Sequence, residues 1–219
     1  MRDGIVPAAF LFHFALPIKR NEAVPLRKGG LLQLNESAQI FVPSSLNEGQ
    51  AKFDLRGVWN ERGIGFQVEI RGRTLPVCGT RKDLKASDSI RIFLDLRHTA
   101  NVHRATEYCT AILVLPIDED ADDRPSVSFT EIAQQRTVRK DRDDRKCLVN
   151  TTLFDNGYRC ELWIPGSQLA GFEELPNIGH LGFSCQILDS EFGELPLSVG
   201  GDFPTGFDPS TWLQLQLVS

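Results

Sequence analysis

Apolar and polar residues alternate with a period of two along five separate stretches of this chain. Residues 64–70 (IGFQVEI), 90–96 (IRIFLDL), 158–164 (YRCELWI), 181–187 (LGFSCQI) and 212–218 (WLQLQLV) each carry their apolar side chains on one face. That period marks strands with one face in a core. Residues 111–115 (AILVL) are apolar throughout, as a strand buried on both faces is. Turn residues punctuate the stretches: Asn60-Glu61-Arg62-Gly63, Asp155-Asn156-Gly157, Pro165-Gly166, Pro176-Asn177 and Asp208-Pro209. The Asn156-Gly157 pair between residues 149–154 and 158–164 predicts a hairpin. Only residues 129–135 and 167–171 could form a helical turn or two. Many short, punctuated strands predict an all-β, two-sheet antiparallel β-sandwich, immunoglobulin-like or jelly-roll-like, folded as a single domain over residues 1–219.

Composition narrows the class without changing the fold. The 219 residues are 41% hydrophobic and 24% charged, as in an ordinary globular chain. A net charge of −5 argues against a nucleic-acid interface built on a broad basic face. No apolar run is long enough to span a membrane as a helix. The apolar residues 5–16 fall short of a signal peptide: Asp3 precedes them, Pro7 and His13 interrupt them, and Lys19-Arg20 stand where a cleavage site belongs. A buried strand within residues 8–20 is predicted there instead. Five scattered cysteines, Cys78, Cys109, Cys147, Cys160 and Cys185, are odd in number and contain no CxxC pair. Reduced, mostly buried thiols in a cytoplasmic protein are expected, with Cys160 and Cys185 as candidate cross-strand neighbours. Without secretion, the acceptor-like Asn35-Glu36-Ser37 and Asn150-Thr151-Thr152 are chance matches.

Catalytic and cofactor motifs do not occur. The chain lacks GxxxxGK[ST], GxGxxG after a strand, HExxH and GxSxG, and with them the phosphate cradle, dinucleotide turn, zinc pair and nucleophile elbow. No cofactor is predicted. Haem ligation of the Met/His type is excluded because Met1 is the only methionine. The acidic run Asp118-Glu119-Asp120-Ala121-Asp122-Asp123 fails the EF-hand pattern; it reads as a solvated loop or as a different cation site holding a structural calcium. His98, His103, Cys78 and Cys109 do not have metal-site spacing, so loop histidines are expected. The mixed-charge run of residues 136–146 (RTVRKDRDDRK) reads as an exposed hairpin face or loop, with a phosphate site as the alternative.

The chemistry concentrates in residues 87–109. With Ile90, Ile92, Leu94 and Leu96 inward, Arg91, Phe93, Asp95 and Arg97 share the opposite face. The loop that follows adds His98, Asn101, His103 and Arg104. The candidate ligand site is therefore Arg91, Asp95, Arg97, His98, His103 and Arg104; the competing reading is a salt-bridged solvent face.

The order of landmarks resembles the family 9 carbohydrate-binding modules and the wider DOMON-like β-sandwich group. Residues 58–68 (VWNERGIGFQV) resemble that family's "W-D-x-x-x-L-Y-x-x-V", and residues 88–95 (DSIRIFLD) its "D-S-V-E-I-F-I-D". Residues 157–165 (GYRCELWIP) resemble "G-Y-x-x-E-x-x-I-x-W", residues 181–189 "I-G-F-N-x-x-x-x-D", and residues 208–215 (DPSTWLQL) "D-P-S-x-x-G-x-L". The resemblance spans about residues 50–219 and implies the sandwich fold. The family's sugar-clamping tryptophans fall at Lys85 and Gly206, with Phe207 beside the latter, and its glutamate at Arg91. Residues 95–106 (DLRHTANVHRAT) look like the signature of an uncharacterised bacterial subgroup of DOMON-like proteins. The resemblance implies a non-catalytic ligand-binding module for a carbohydrate, and the cation-rich face favours an anionic sugar-like small molecule. The alternative is a structural or protein-interaction protein with no small-molecule site. An enzyme using His103 or Cys109 ranks last, since no nucleophile is matched with a base.

Overall fold

The computed structural model describes residues 14–28, 30–48, 51–99 and 101–219. Its strands are β1 (Ala15–Arg20), β2 (Phe53–Asn60), β3 (Gly63–Arg71), β4 (Ser89–Asp95), β5 (Cys109–Asp118), β6 (Arg124–Thr130), β7 (Leu148–Phe154), β8 (Gly157–Pro165), β9 (His180–Asp189), β10 (Gly193–Pro196) and β11 (Leu213–Val218). All five alternating stretches form strands, with only Leu96 and Trp212 just beyond the strand ends, and Ala111 to Leu115 are buried throughout within β5. The α-helices among the described residues are single turns, Ser45–Glu48 and Leu175–Ile178. Residues 129–135 are not helical: β6 runs through Thr130 and a turn follows. The N-terminal strand is β1; residues 8–13 of the stretch predicted there lie outside the described residues.

The sheet runs in the order β6-β5-β4-β9-β11-β1-β2-β3-β8-β7, with β10 added on β9. It is one continuous mixed sheet folded into two layers. β1 pairs in parallel with both β11 and β2, while every other ladder is antiparallel. Phe66 of β3 stacks on Phe183 of β9 across the core, with ring centroids 4.8 Å apart. The end strands β6 and β7 approach each other, so the sandwich is nearly a barrel.

One hairpin confirms its local signal. The β7–β8 hairpin forms at the predicted place, with Asp155 and Asn156 as its loop and Gly157 already in the ladder. A Cβ at Gly157 would collide with the Ile70 carbonyl oxygen, which is why glycine stands there. The cysteines are free, and all but Cys78 are buried. Cys160 is paired with Val68 and Thr151, whereas Cys185 is paired with Ile92, so Cys160 and Cys185 are not cross-strand partners.

The outward face of β4 departs from expectation. Arg91 is exposed, but Phe93 and Asp95 are both only 4% exposed. A second apolar cluster of Phe93, Ala105, Cys109, Ala111, Ile132 and Trp212 covers that face. Alternation along β4 predicts which side chains oppose the main core. It does not reveal that the loop before β11 folds over them.

Candidate functional site

The loop between β10 and β11 is pinned to β4 and β9 from both ends. Trp212 packs against Phe93 at 5.6 Å and donates its indole N–H to the Thr205 carbonyl at 2.7 Å. Gln186 of β9 donates to the Thr205 hydroxyl at 2.5 Å. Asp208 caps the short 3-10 turn Pro209–Thr211 by accepting from the Ser210 amide at 2.9 Å and hydroxyl at 2.7 Å. The Asp208-Pro209-Ser210 sequence thereby fixes the loop.

Between this loop and the outer edge of β4, β9 and β10 lies a pocket of about 360 Å³. Phe203, Pro204 and Phe207 form its apolar wall, and Arg91, Gln186 and Glu194 supply its polar groups. Phe207 is 38% exposed and presents an aromatic surface. Arg91 and Glu194 form no ion pair with any described residue, so donors and an acceptor both remain available to an occupant. Gly206 lines the pocket beside Phe207, whereas Lys85 is exposed and outside its lining.

Of the six residues singled out from the sequence, Arg91 alone lines this pocket. Asp95 is buried at the end of β4, where one carboxylate oxygen accepts the Arg97 amide at 3.1 Å; burial raises its pKa above the ordinary aspartate value. The thiol of Cys109 sits beside it, its pKa pushed up to about 12, chiefly by burial. Arg97 lies beyond the strand, 2.9 Å from Glu174 and with its guanidinium 3.9 Å over the Tyr108 ring. His98 packs against Gly182, edge-on to His180, and burial lowers its pKa. Exposed His103 lies 3.1 Å from Asp208 and 3.0 Å from Ser210, buttressing the pocket loop from outside. Arg104 is exposed. The aligned face of Arg91, Asp95 and Arg97 is thus divided among a pocket, a buried carboxylate and a surface ion pair.

Gln186, Glu194 and Phe203 were missed from sequence. The signal for the pocket wall was the turn-rich stretch of residues 200–209 (GGDFPTGFDP), where two phenylalanines stand among glycines and prolines with no strand to bury them. In the acidic run, Asp118 pairs with Arg81 at 2.8 Å, Asp120 with Lys82 at 2.7 Å and Asp122 with Arg124 at 3.2 Å. No cluster of three potential metal ligands converges among the described residues.

No family model and no curated protein matches the sequence. Similarity to solved structures does emerge. A family 9 carbohydrate-binding module from Caldicellulosiruptor kristjanssonii in complex with glucose superimposes with a TM-score of 0.61 at 14% identity, covering 93% of this chain and 96% of that one. The module from the same organism in complex with cellotriose gives 0.58 at 13% identity, covering 93% of each chain. The fold of this chain is that of the family 9 carbohydrate-binding modules.

Proposed function

We propose that the protein is a non-catalytic binding module that takes a carbohydrate or an anionic sugar-like ligand in the Arg91 pocket. The observation that carries this reading is the pocket itself. It combines an exposed aromatic side chain, Phe207, with a cation and a carboxylate that have no ion-pair partners among the described residues. Sugars are held by an apolar face on a ring plus convergent donors and acceptors, and a pocket of about 360 Å³ suits a ligand of one or two sugar rings. The complexes formed by the structural neighbours, with glucose and cellotriose, support the carbohydrate class. Arg91 supports an acidic sugar, since a guanidinium recognises a carboxylate with two parallel hydrogen bonds. The scattered free cysteines support a cytoplasmic setting.

A thermal-shift screen with glucose, cellobiose, galacturonate, glucuronate and glucose 6-phosphate tests this reading, because a ligand of the folded state raises the melting temperature by mass action. A saturable rise that is lost in Phe207→Ala is expected. No rise with any of these sugars at tens of millimolar would overturn the carbohydrate assignment.

A further inference from the structure

Away from that pocket, Arg142 is a partly buried cation without an ion-pair partner among the described residues. Its Nη2 donates to the Cys109 carbonyl at 2.9 Å and to the Thr110 hydroxyl at 2.8 Å, both neutral acceptors. Its Nε is buried and has no acceptor at all. The guanidinium stands 5.3 Å from the Phe129 ring. Burial and the neighbouring Arg139 lower its pKa and outweigh the opposing pull of Asp141, so the folded protein holds this charge at a cost. Other partly buried arginines of the chain are compensated: Arg56 by Asp54, Arg159 by Glu69 and Arg139 by Asp141.

Arg142 lines a second pocket, of about 220 Å³, between the end of β6 and residues 138–144. Arg139 and Lys140 add two more cations to its lining, and Lys140 is exposed, with no ion pair among the described residues. Of the two carboxylates there, Asp144 is engaged by the Phe129 amide at 2.8 Å and Glu131 is exposed. Partly buried charges are ordinarily paired, and a guanidinium held only by neutral acceptors is complemented by an anion. We infer that this pocket is a second binding site, for a phosphate or sulfate group, free or as a monoester, held by Arg142 and Lys140. The inference is independent of the sugar pocket, since it shares no residue with it.

Titration with inorganic phosphate, sulfate and glucose 6-phosphate at constant ionic strength, balanced with sodium chloride, tests it. The site predicts a saturable rise in melting temperature with phosphate or sulfate over chloride. It also predicts a shift of the Arg142 Nε–H resonance in 15N-resolved NMR. Arg142→Gln should abolish saturation and Lys140→Gln should weaken it at least threefold. A glucose 6-phosphate response that Arg142→Gln removes indicates a monoester site, and an Arg142-dependent response to the inorganic anions alone a free-anion site. Should Arg142→Gln fail to fold, Lys140→Gln and the Nε–H resonance decide. A response matched by chloride, or wild-type titration in both variants, overturns the site.

Discussion

Arg73 and Asp88 form a two-pronged ion pair in the interior. Nη1 meets Oδ1 at 3.0 Å and Nη2 meets Oδ2 at 3.1 Å, with the side chains 1% and 0% exposed. Buried Asp189 bonds the same Nη1, and the Ser190 hydroxyl accepts from Nη2 at 3.1 Å. Asp88 additionally accepts the amides of Cys78 and Ser190. The two motif aspartates, at the start of β4 and the end of β9, are therefore held together by one guanidinium. Arg73→Ala should lower unfolding free energy by about 3–5 kcal/mol in urea denaturation, because two carboxylates lose their counter-charge. Arg73→Lys should restore only part of it, since an ammonium cannot form the parallel pair. A loss below about 1 kcal/mol in Arg73→Ala would show that the carboxylates find other partners.

Glu161 on β8 ties down the segment ahead of β2. It is buried, yet it accepts four N–H groups: Leu31 at 3.3 Å, Leu32 at 2.9 Å, Gln33 at 2.7 Å and Asn150 at 2.9 Å. Burial alone would raise its pKa; these donors outweigh it and hold the pKa below the ordinary glutamate value. The stabilisation is therefore present above the unfolded-state pKa and lost as pH falls through the folded-state value. Glu161→Gln should cost about 1–3 kcal/mol at pH 7, because an amide N–H₂ replaces an acceptor facing donors. The difference between variant and wild type should shrink at acid pH; a constant difference from pH 7 to pH 3 would refute the ionised-acceptor account.

Asp95 has the opposite sign. Its folded-state pKa is raised by burial, so folding is penalised once pH rises above the unfolded-state value, and the penalty is complete above the folded-state value. Asp95→Asn keeps an oxygen for the Arg97 amide and removes the buried charge. Greater stability than wild type at pH 7, with the gain vanishing below about pH 4, is expected from urea titrations at the two pH values. Destabilisation at pH 7 would mean that the carboxylate is needed for a partner other than the backbone amide.

The pocket loop hangs on Trp212. Trp212→Phe keeps most of the packing on Phe93 but removes the hydrogen bond to the Thr205 carbonyl. It should cost about 1–3 kcal/mol by leaving a buried acceptor unpaired, and should weaken ligand binding without touching a ligand-contacting side chain. Unchanged hydrogen exchange in residues 203–208 would show that the loop is held otherwise.

Strand periodicity made β3, β4, β8, β9 and β11 legible, because each has one face in the main core and period two reports just that. Parallel pairing of β1 left no trace, since a short edge-like segment reads the same whichever neighbour it joins. The pocket was legible at Arg91 and, through the family resemblance, at Gly206 and Phe207. Asp95 and Phe93 looked like a ligand face because covering by a distant loop is a tertiary fact: Trp212 lies 119 positions from Phe93 and nothing local announces their contact. Arg97 is satisfied by Glu174 on a turn 77 positions away. Buried Arg73 was invisible for the same reason, its carboxylates lying 15 and 116 residues away.

Isothermal titration of the wild type, Arg91→Ala and Arg97→Ala with galacturonate tests the central claim most directly. Arg91 lines the pocket while Arg97 is engaged by Glu174 and Tyr108, so the two substitutions should separate. The pocket account predicts saturable binding that weakens at least tenfold in Arg91→Ala, about 1.4 kcal/mol, and changes less than twofold in Arg97→Ala. Absence of saturable binding, or equal affinity in the wild type and Arg91→Ala, would contradict it.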